Sequence, residues 1–360
     1  WFQRIFSFSE ASYDKTREML AVEEDEEKPG MSILRSLANG ARFRIGCFGT
    51  PSLQELRQVL EADVPSGRLK VTNEIGDVAY KHALPENMFA TFQVASQFNC
   101  LEFVGPSVVP EDGITGYVHD RTQGPACSIA CGPATAFRNF FAPVGPTGQQ
   151  GQRKELQINN LDDFSTTLDV LCQDPADATG YSLRPAPFFH VRSGYTEASH
   201  REMQRLNRAL ARLSEAQRDA LRATLRVGVH EEVQVTSHAW GAKLLPTEQL
   251  VTQVFGSACS VAYNRDSSRD DWQPVATLIL EASYEATLLA ALKQAKKHAG
   301  KGGSKKVFLT SLGGGVFGNS MEWITQAMER AFQQLKDVDL DVRIVTYAGS
   351  PHPELLRLER

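Results

Sequence analysis

The chain has 360 residues, 42% of them hydrophobic and 22% charged, with a formal net charge of −5 at pH 7. That length exceeds what one hydrophobic core usually serves and predicts one large elaborated domain or two. The acidic balance argues against a general binder of nucleic acid or of membrane surfaces, and no apolar run approaches the ~20 residues needed to cross a bilayer.

Residues 1–40 read as a peripheral arm, with an acidic run from Glu23 to Glu27 as a flexible break and a short helical pattern over Met31–Ala38. No signal-peptide pattern opens the stretch, which begins at Trp1. Phe43–Phe48 alternates like a strand, and a helix follows with Thr50 as its cap and Pro51 at its first position. Leu69–Val78 and Thr91–Phe103 read as strands, the second ending in the polar residues Gln97, Asn99 and Glu102. Polar side chains at the end of a buried strand need partners, and open α/β sheets bind ligands at the carboxyl ends of their strands. The plainer alternative is that Asn99 caps a turn.

Residues 104–126 form a long loop crowded with Gly, Pro, Asp and Thr, and loops of that length are usually functional or disordered. The pattern from Cys127 to Phe141 predicts a helix of small residues starting near Pro125, which places Asp120, Thr122, Gln123 and Gly124 at or before its N-terminus. Residues 145–195 are polar and interrupted, a predicted surface excursion with a strand-like piece at Phe188–Tyr195. A long amphipathic helix over Glu197–Leu225 and a strand over Arg226–Thr236 follow. His230, Glu231 and Glu232 are consecutive in that strand, so they point to opposite faces and make a poor metal site. Gln249–Tyr263 reads as a buried strand, and Trp272–Ala299 as a long helix, apolar nearly all round. Glu281 and Glu285 interrupt it at i,i+4 spacing, where they meet either a ligand or shared proton, or an arginine or solvent.

The most informative stretch is Lys305–Phe332. A short apolar strand, Val307–Leu312, runs into Gly313-Gly314-Gly315-Val316-Phe317-Gly318-Asn319, and helical spacing resumes at Trp323. Strand, glycine loop and helix is an arrangement that binds phosphate, because backbone N–H groups approach an anion closely where no Cβ intervenes and the helix N-terminus adds positive charge. The loop is neither a GxxxxGK[ST] nor a GxGxxG motif. A turn that uses glycine only for geometry is the alternative. Val338–Tyr347 supplies a last strand, and an exposed tail follows. The six cysteines include no CxxC pair, which predicts reduced structural cysteines and a cytoplasmic setting.

With these pieces in place, the chain resembles the poly(ADP-ribose) glycohydrolase-like branch of the macrodomain superfamily, over roughly residues 69–141 and 225–350. GGGVFGN at 313–319 resembles the loop that cups the diphosphate there, QVFGSACSVAYN at 253–264 resembles the segment before its long helix, and QFNCLEF at 97–103 resembles its ribose-binding strand end. Together with HDRTQGPA and LILEASYEATLLAAL, these motifs look closest to macrodomain-like hydrolases that remove ADP-ribose from ubiquitin. The paired glutamates of the glycohydrolases have no counterpart in 105–126, which offers Asp112, Asp120 and Gln123 instead.

The resemblance implies a three-layer α/β/α fold with a mixed sheet and helical elaborations. Residues 1–68 would be an N-terminal arm and packing elements, 69–350 the catalytic domain with an elaboration at about 142–224, and 351–360 a tail. It implies an ADP-ribosyl hydrolase acting on a modified protein side chain, arginine by expectation and with ubiquitin as a candidate carrier, or alternatively a non-catalytic ADP-ribose reader. No metal or other cofactor, nucleic acid or membrane is expected. The diphosphate falls to Gly313, Gly314, Gly315, Val316 and Gly318, a ribose to Phe317, the distal ribose to Asn99 and the adenine amino group to Asp77. Thr122, Gln123, Gly124, Asn264 and Asn319 complete the expected contacts. Asp120, Glu281 and Glu285 all remain candidates for the catalytic carboxylate.

Overall fold

The computed structural model describes residues 1–61, 66–172 and 187–360, so residues 173–186 of the polar excursion lie outside the described residues. The strands are β1 (Leu20–Glu24), β2 (Ser32–Ser36), β3 (Arg42–Gly49), β4 (Lys70–Ile75), β5 (Thr91–Ala95), β6 (Pro143–Val144), β7 (Gln149–Gln150), β8 (His190–Arg192), β9 (Tyr195–Glu197), β10 (Gly228–His238), β11 (Lys243–Gly256), β12 (Lys306–Leu309) and β13 (Asp341–Thr346). The helices are α1 (Phe2–Phe6), α2 (Tyr13–Glu18), α3 (Leu53–Arg57), α4 (Val78–Ala83), α5 (Gln123–Ala130), α6 (Gly132–Phe140), α7 (Asp162–Cys172), α8 (His200–Leu210), α9 (Glu215–Ala223), α10 (Arg269–Lys297), α11 (Met321–Gln334) and α12 (Pro353–Leu356).

Nine strands make one mixed sheet in the order β1-β2-β3-β10-β11-β5-β12-β13-β4. The β1 to β11 side is antiparallel, and β11, β5, β12, β13 and β4 run parallel. Helices α3 and α8 to α11 cover one face, while α4, α5 and α6 pack on the other. This is the expected α/β/α sandwich. Two clusters of apolar side chains fill its two interfaces, and a third joins the N-terminal aromatics to α6. The central helix α10 is long and apolar enough to cross a bilayer, with a mean hydropathy of 1.5 over 18 residues, which corrects the expectation that no run is. It is instead the core of the sandwich, with 89% of that stretch buried.

Several local expectations change. Met31–Ala38 is not helical, because Ser32–Ser36 pairs as a strand between β1 and β3, and the supposed arm thereby extends the main sheet. The cap of α3 is Ser52, not Thr50, in a reciprocal capping box with Glu55. Strand β5 stops at Ala95, well short of Phe103. The small-residue helix starts at Gln123 and breaks at Cys131, where Gly132-Pro133 opens α6 instead of prolonging α5. The predicted 197–225 helix is two helices, since Ser214 starts α9 with its own capping box. The tail is not free. Arg360 and Val71 exchange both backbone hydrogen bonds, and Leu355 and Leu358 are buried.

Glu281 and Glu285 face α3, α9 and α11. Glu285 accepts from Arg57 Nε (2.6 Å) and Arg330 Nη1 (3.0 Å), Asp219 bridges the same two arginines, and Glu281 pairs with Arg222. This ionic cluster ties three helices to α10. Glu285→Ala leaves two half-buried arginines short of a partner and is expected to cost about 2 kcal/mol in urea unfolding, less than a fully buried pair and more than a surface one. Glu281→Ala should cost less, because Glu281 is more exposed than Glu285 and pairs with one arginine where Glu285 pairs with two. A loss below about 0.5 kcal/mol at Glu285 would reduce the cluster to surface decoration.

Candidate active site

The connections leaving the parallel strands diverge at one place. The chain after β5 leads to α5 on one face of the sheet, and the chain after β12 leads to α11 on the other. Neighbouring strands whose connections leave on opposite faces open a crevice at their carboxyl ends. Here that crevice is a cavity of ≈ 200 Å³ between the end of β5 and the end of β12. Thr122, Gln123 and Thr310 form a common wall with a second hollow lined by Asp77, Arg121, Trp240 and Tyr347.

One wall is the glycine loop. Tyr284 on α10 anchors its start, donating to the Thr310 carbonyl (2.8 Å) and accepting from Leu312 N (2.9 Å). Asn319 closes its end, donating from Nδ2 to the Cys259 carbonyl (2.8 Å) and from its backbone to the Gly313 carbonyl (2.9 Å). Gly313 and Gly318 have φ of 67° and 74°, the left-handed region that other residues avoid. Their roles are conformational: a Cβ on Gly318 would stand 2.9 Å from that of Ala262. Gly315 has ordinary φ, and nothing lies within 4 Å of a Cβ built on it. Gly313, Gly315, Val316 and Phe317 line the cavity, and Phe317 packs with Tyr195 and Tyr263 at its mouth (ring centroids 5.3 and 5.7 Å).

The other wall is the turn into α5. Gln123 Oε1 accepts from Ala95 N and its Nε2 donates to the Gln93 carbonyl, both at 2.8 Å. Asp120, half-buried, lines the cavity and accepts from Thr122 N (3.1 Å). Gly124 is obligatory for space, because a Cβ there would sit 2.0 Å from the Ala95 carbonyl oxygen and 2.2 Å from Glu102 Oε2.

Glu102 is the residue the sequence reading passed over as a catalytic candidate. It lines the cavity, is 2% exposed, and its Oε1 has no hydrogen-bond partner. Burial drives its carboxyl well above the usual carboxylate range; Arg138 pulls it back and the nearby Asp120 pushes it up again. The available signal was a carboxylate enclosed by Leu101 and Phe103 in an otherwise apolar run. Glu281 and Glu285 do not line the cavity, and their arginine partners account for them. As candidate catalytic carboxylates they are replaced by Glu102, which stands beside Asp120.

The remaining expected contacts divide. Asp77 caps α4 by accepting from Ala79 N (2.9 Å) and lines the second hollow. Thr122, Gln123 and Gly124 line the cavity. Asn99 does not: its Oδ1 caps a turn at Leu101 N (3.0 Å) and its Nδ2 bonds Gln157 (2.8 Å), so Ser96 and Gln97 hold the strand end in its place. Asn264 is likewise structural, bonded to Ala198, Thr196 and Ser260, and Asn319 and Gly318 shape the loop from behind. Gly314 does not line the cavity, and a Cβ built on it would stand 3.0 Å from Ile324 Cδ1. The His230-Glu231-Glu232 run serves elsewhere, with His230 against Arg138 and the two glutamates in lysine ion pairs.

No family model and no curated protein matches the chain. Among solved structures it is similar to poly(ADP-ribose) glycohydrolase from Deinococcus radiodurans in complex with ADP-ribose. A point mutant of that enzyme matches at 12% identity, covering 98% of this chain and 96% of that one, with a TM-score of 0.43. Another crystal form matches at 13%, covering 86% and 90%, with a TM-score of 0.44. The Thermomonospora curvata poly(ADP-ribose) glycohydrolase matches at 13%, covering 86% and 82%, with a TM-score of 0.36. At this distance residue roles rest on this chain's own geometry.

Two glycine substitutions separate shape from contact. Gly315→Val should fold with unchanged thermal stability, yet weaken nucleoside-diphosphate binding at least about tenfold in calorimetry, since its side chain enters the cavity. Gly318→Val should lose ~1–3 kcal/mol of stability through its left-handed φ. Normal binding by folded Gly315→Val would remove the loop from the ligand's path.

Proposed function

We propose that this protein is an ADP-ribosyl hydrolase, with the adenine end of its ligand in the Asp77 hollow and the diphosphate along Gly313–Phe317. The distal ribose then lies between Phe317 and the carboxylates Glu102 and Asp120. The observation that carries this reading is the buried Glu102, which lines the cavity with one carboxyl oxygen left without a hydrogen-bond partner, beside a second carboxylate and across from a glycine loop. A pure binding module has no need to hold a buried acid with one oxygen unsatisfied there, which costs stability.

The chemistry uses what the two groups offer. Glycosidic cleavage passes through an oxocarbenium-like state, and two carboxyl groups suffice for it. Glu102, held protonated by burial, donates its proton to the leaving atom of the side chain as the C1″ bond breaks. The Asp120 carboxylate, at the half-buried rim, takes a proton from the water whose oxygen bonds to C1″. The net change is addition of one water, and solvent returns the proton from Asp120 to Glu102. The glycine loop holds the diphosphate so that the distal ribose meets both groups. The finer assignment, an arginine linkage carried on ubiquitin, rests on the motif resemblance. The missing Glu-Glu pair favours release of a terminal ADP-ribose over polymer cleavage.

ADP-ribose should bind with a dissociation constant around micromolar or tighter, equivalent to ~8 kcal/mol, and AMP much more weakly. Glu102→Gln and Asp120→Asn should each lower the rate of release from arginine-ADP-ribosylated protein by ~10²-fold or more at nearly unchanged affinity, while Glu281→Gln keeps the wild-type rate. Release should also fall at alkaline pH, because the raised proton affinity of Glu102 supplies a donor only below its own pKa. Wild-type rates in both amide variants would overturn the mechanism.

A further inference from the structure

Behind Glu102 lies a fully buried arginine that this chemistry does not use. Arg138, on α6, donates from Nε to the Cys100 carbonyl (3.1 Å) and from Nη2 to Ser128 Oγ (3.2 Å) and Thr135 Oγ1 (3.0 Å). Its Nη1 meets His230 Nδ1 at 3.3 Å, and its guanidinium stacks 3.9 Å from the Phe255 ring centroid. All of these partners are neutral: burial and the arginine itself push the His230 pKa far down, so its imidazole accepts. A buried cation contacting only neutral groups is expensive without a counter-charge nearby.

The buried carboxylate on which its charge acts is Glu102, and the hydroxyls of Ser96 and of Ser128, which itself accepts from Arg138, act in the same direction by favouring the ionised carboxyl. We infer that Arg138 is a positioning residue of the site, which through Ser128 orients the Glu102 carboxyl against Gly124 and supplies the positive charge its ionised form needs. The other groups facing Glu102 are Asp120 from the loop, Tyr117 (whose hydroxyl accepts from Glu102 N at 2.9 Å), Cys127 on α5, Cys100 in its own turn and Tyr195 on β9. Burial raises the pKa of each tyrosine and cysteine among them, so they stay neutral. Arg138 and Asp120 are therefore the opposing charges that decide when Glu102 holds its proton.

The importance of this pairing for catalysis rests on the hydrolase reading, but its test does not. Infrared titration of the free protein follows the protonated carboxyl band of Glu102, assigned by its loss in Glu102→Gln. Ser128→Ala and Arg138→Gln should move its midpoint to higher pH by about one unit or more, and Asp120→Asn should move it lower. Arg138→Lys, which keeps the charge, should restore most of the shift. A purely structural arginine would lower thermal stability and leave the midpoint in place. If Arg138→Gln fails to fold, Ser128→Ala, lacking one hydroxyl, decides. A midpoint within about 0.2 units of wild type in folded Ser128→Ala overturns the inference. The shift without any release activity in the wild-type protein would sink the hydrolase reading and leave the pairing intact.

Discussion

The cleft depends on how β5 ends. Strand β12 pairs with β5 only at Thr91 and Phe92, so beyond Phe92 the two strands part and the Gln93 carbonyl and Ala95 N–H face a gap. Unpaired backbone groups in that position are costly. The amide of Gln123 fills both at once, acting as one residue of a missing strand. That pair of bonds fixes the start of α5 over the end of the sheet. It brings Asp120 to the rim and requires glycine at 124, where the Ala95 carbonyl and Glu102 leave no room for a Cβ.

Across the gap the glycine loop solves a different problem. A segment whose backbone is to face a ligand must be held from behind, and Tyr284, Asn319 and Ala262 do that through its carbonyls and N–H groups. Two kinds of glycine result. Gly313 and Gly318 turn the chain, whereas Gly315 is free of conformational demand and leaves open space. A rigid loop loses little entropy when a ligand arrives, which favours tight and specific binding.

The layer architecture, the strand–loop–helix element at 305–332 and the Asp120–Gly124 wall were legible because each has a local signature: periodicity, glycine clustering, a helix start. The N-terminal strands were not, since Ser32–Ser36 is strand only by pairing with β1 and β3, and tertiary context overrides weak propensity. Asn99 looked like a ligand contact and is a turn cap, a choice that depends on whether Gln157, 58 positions on, comes within 2.8 Å. Sequence spacing carries no information about such a partner.

The glutamates show the same limit most sharply. In the sequence Glu281 and Glu285 sit on an apolar helix and look like the perturbed pair, while Glu102 is one polar residue at a strand end. Three arginines from α3, α9 and α11 reverse that ranking, because a carboxylate held by arginines has its charge already answered. Glu102 has no ion-pair partner of this kind; Arg138 bonds Ser128 instead, and one buried carboxyl oxygen of Glu102 is left without a hydrogen bond. The two kinds of site thus differ in how their charge is compensated rather than in residue type or burial. Full compensation makes a brace, as at Glu285. Partial compensation leaves a proton that can be given away, and a folded protein keeps such a group only where the rest of the structure offsets the cost.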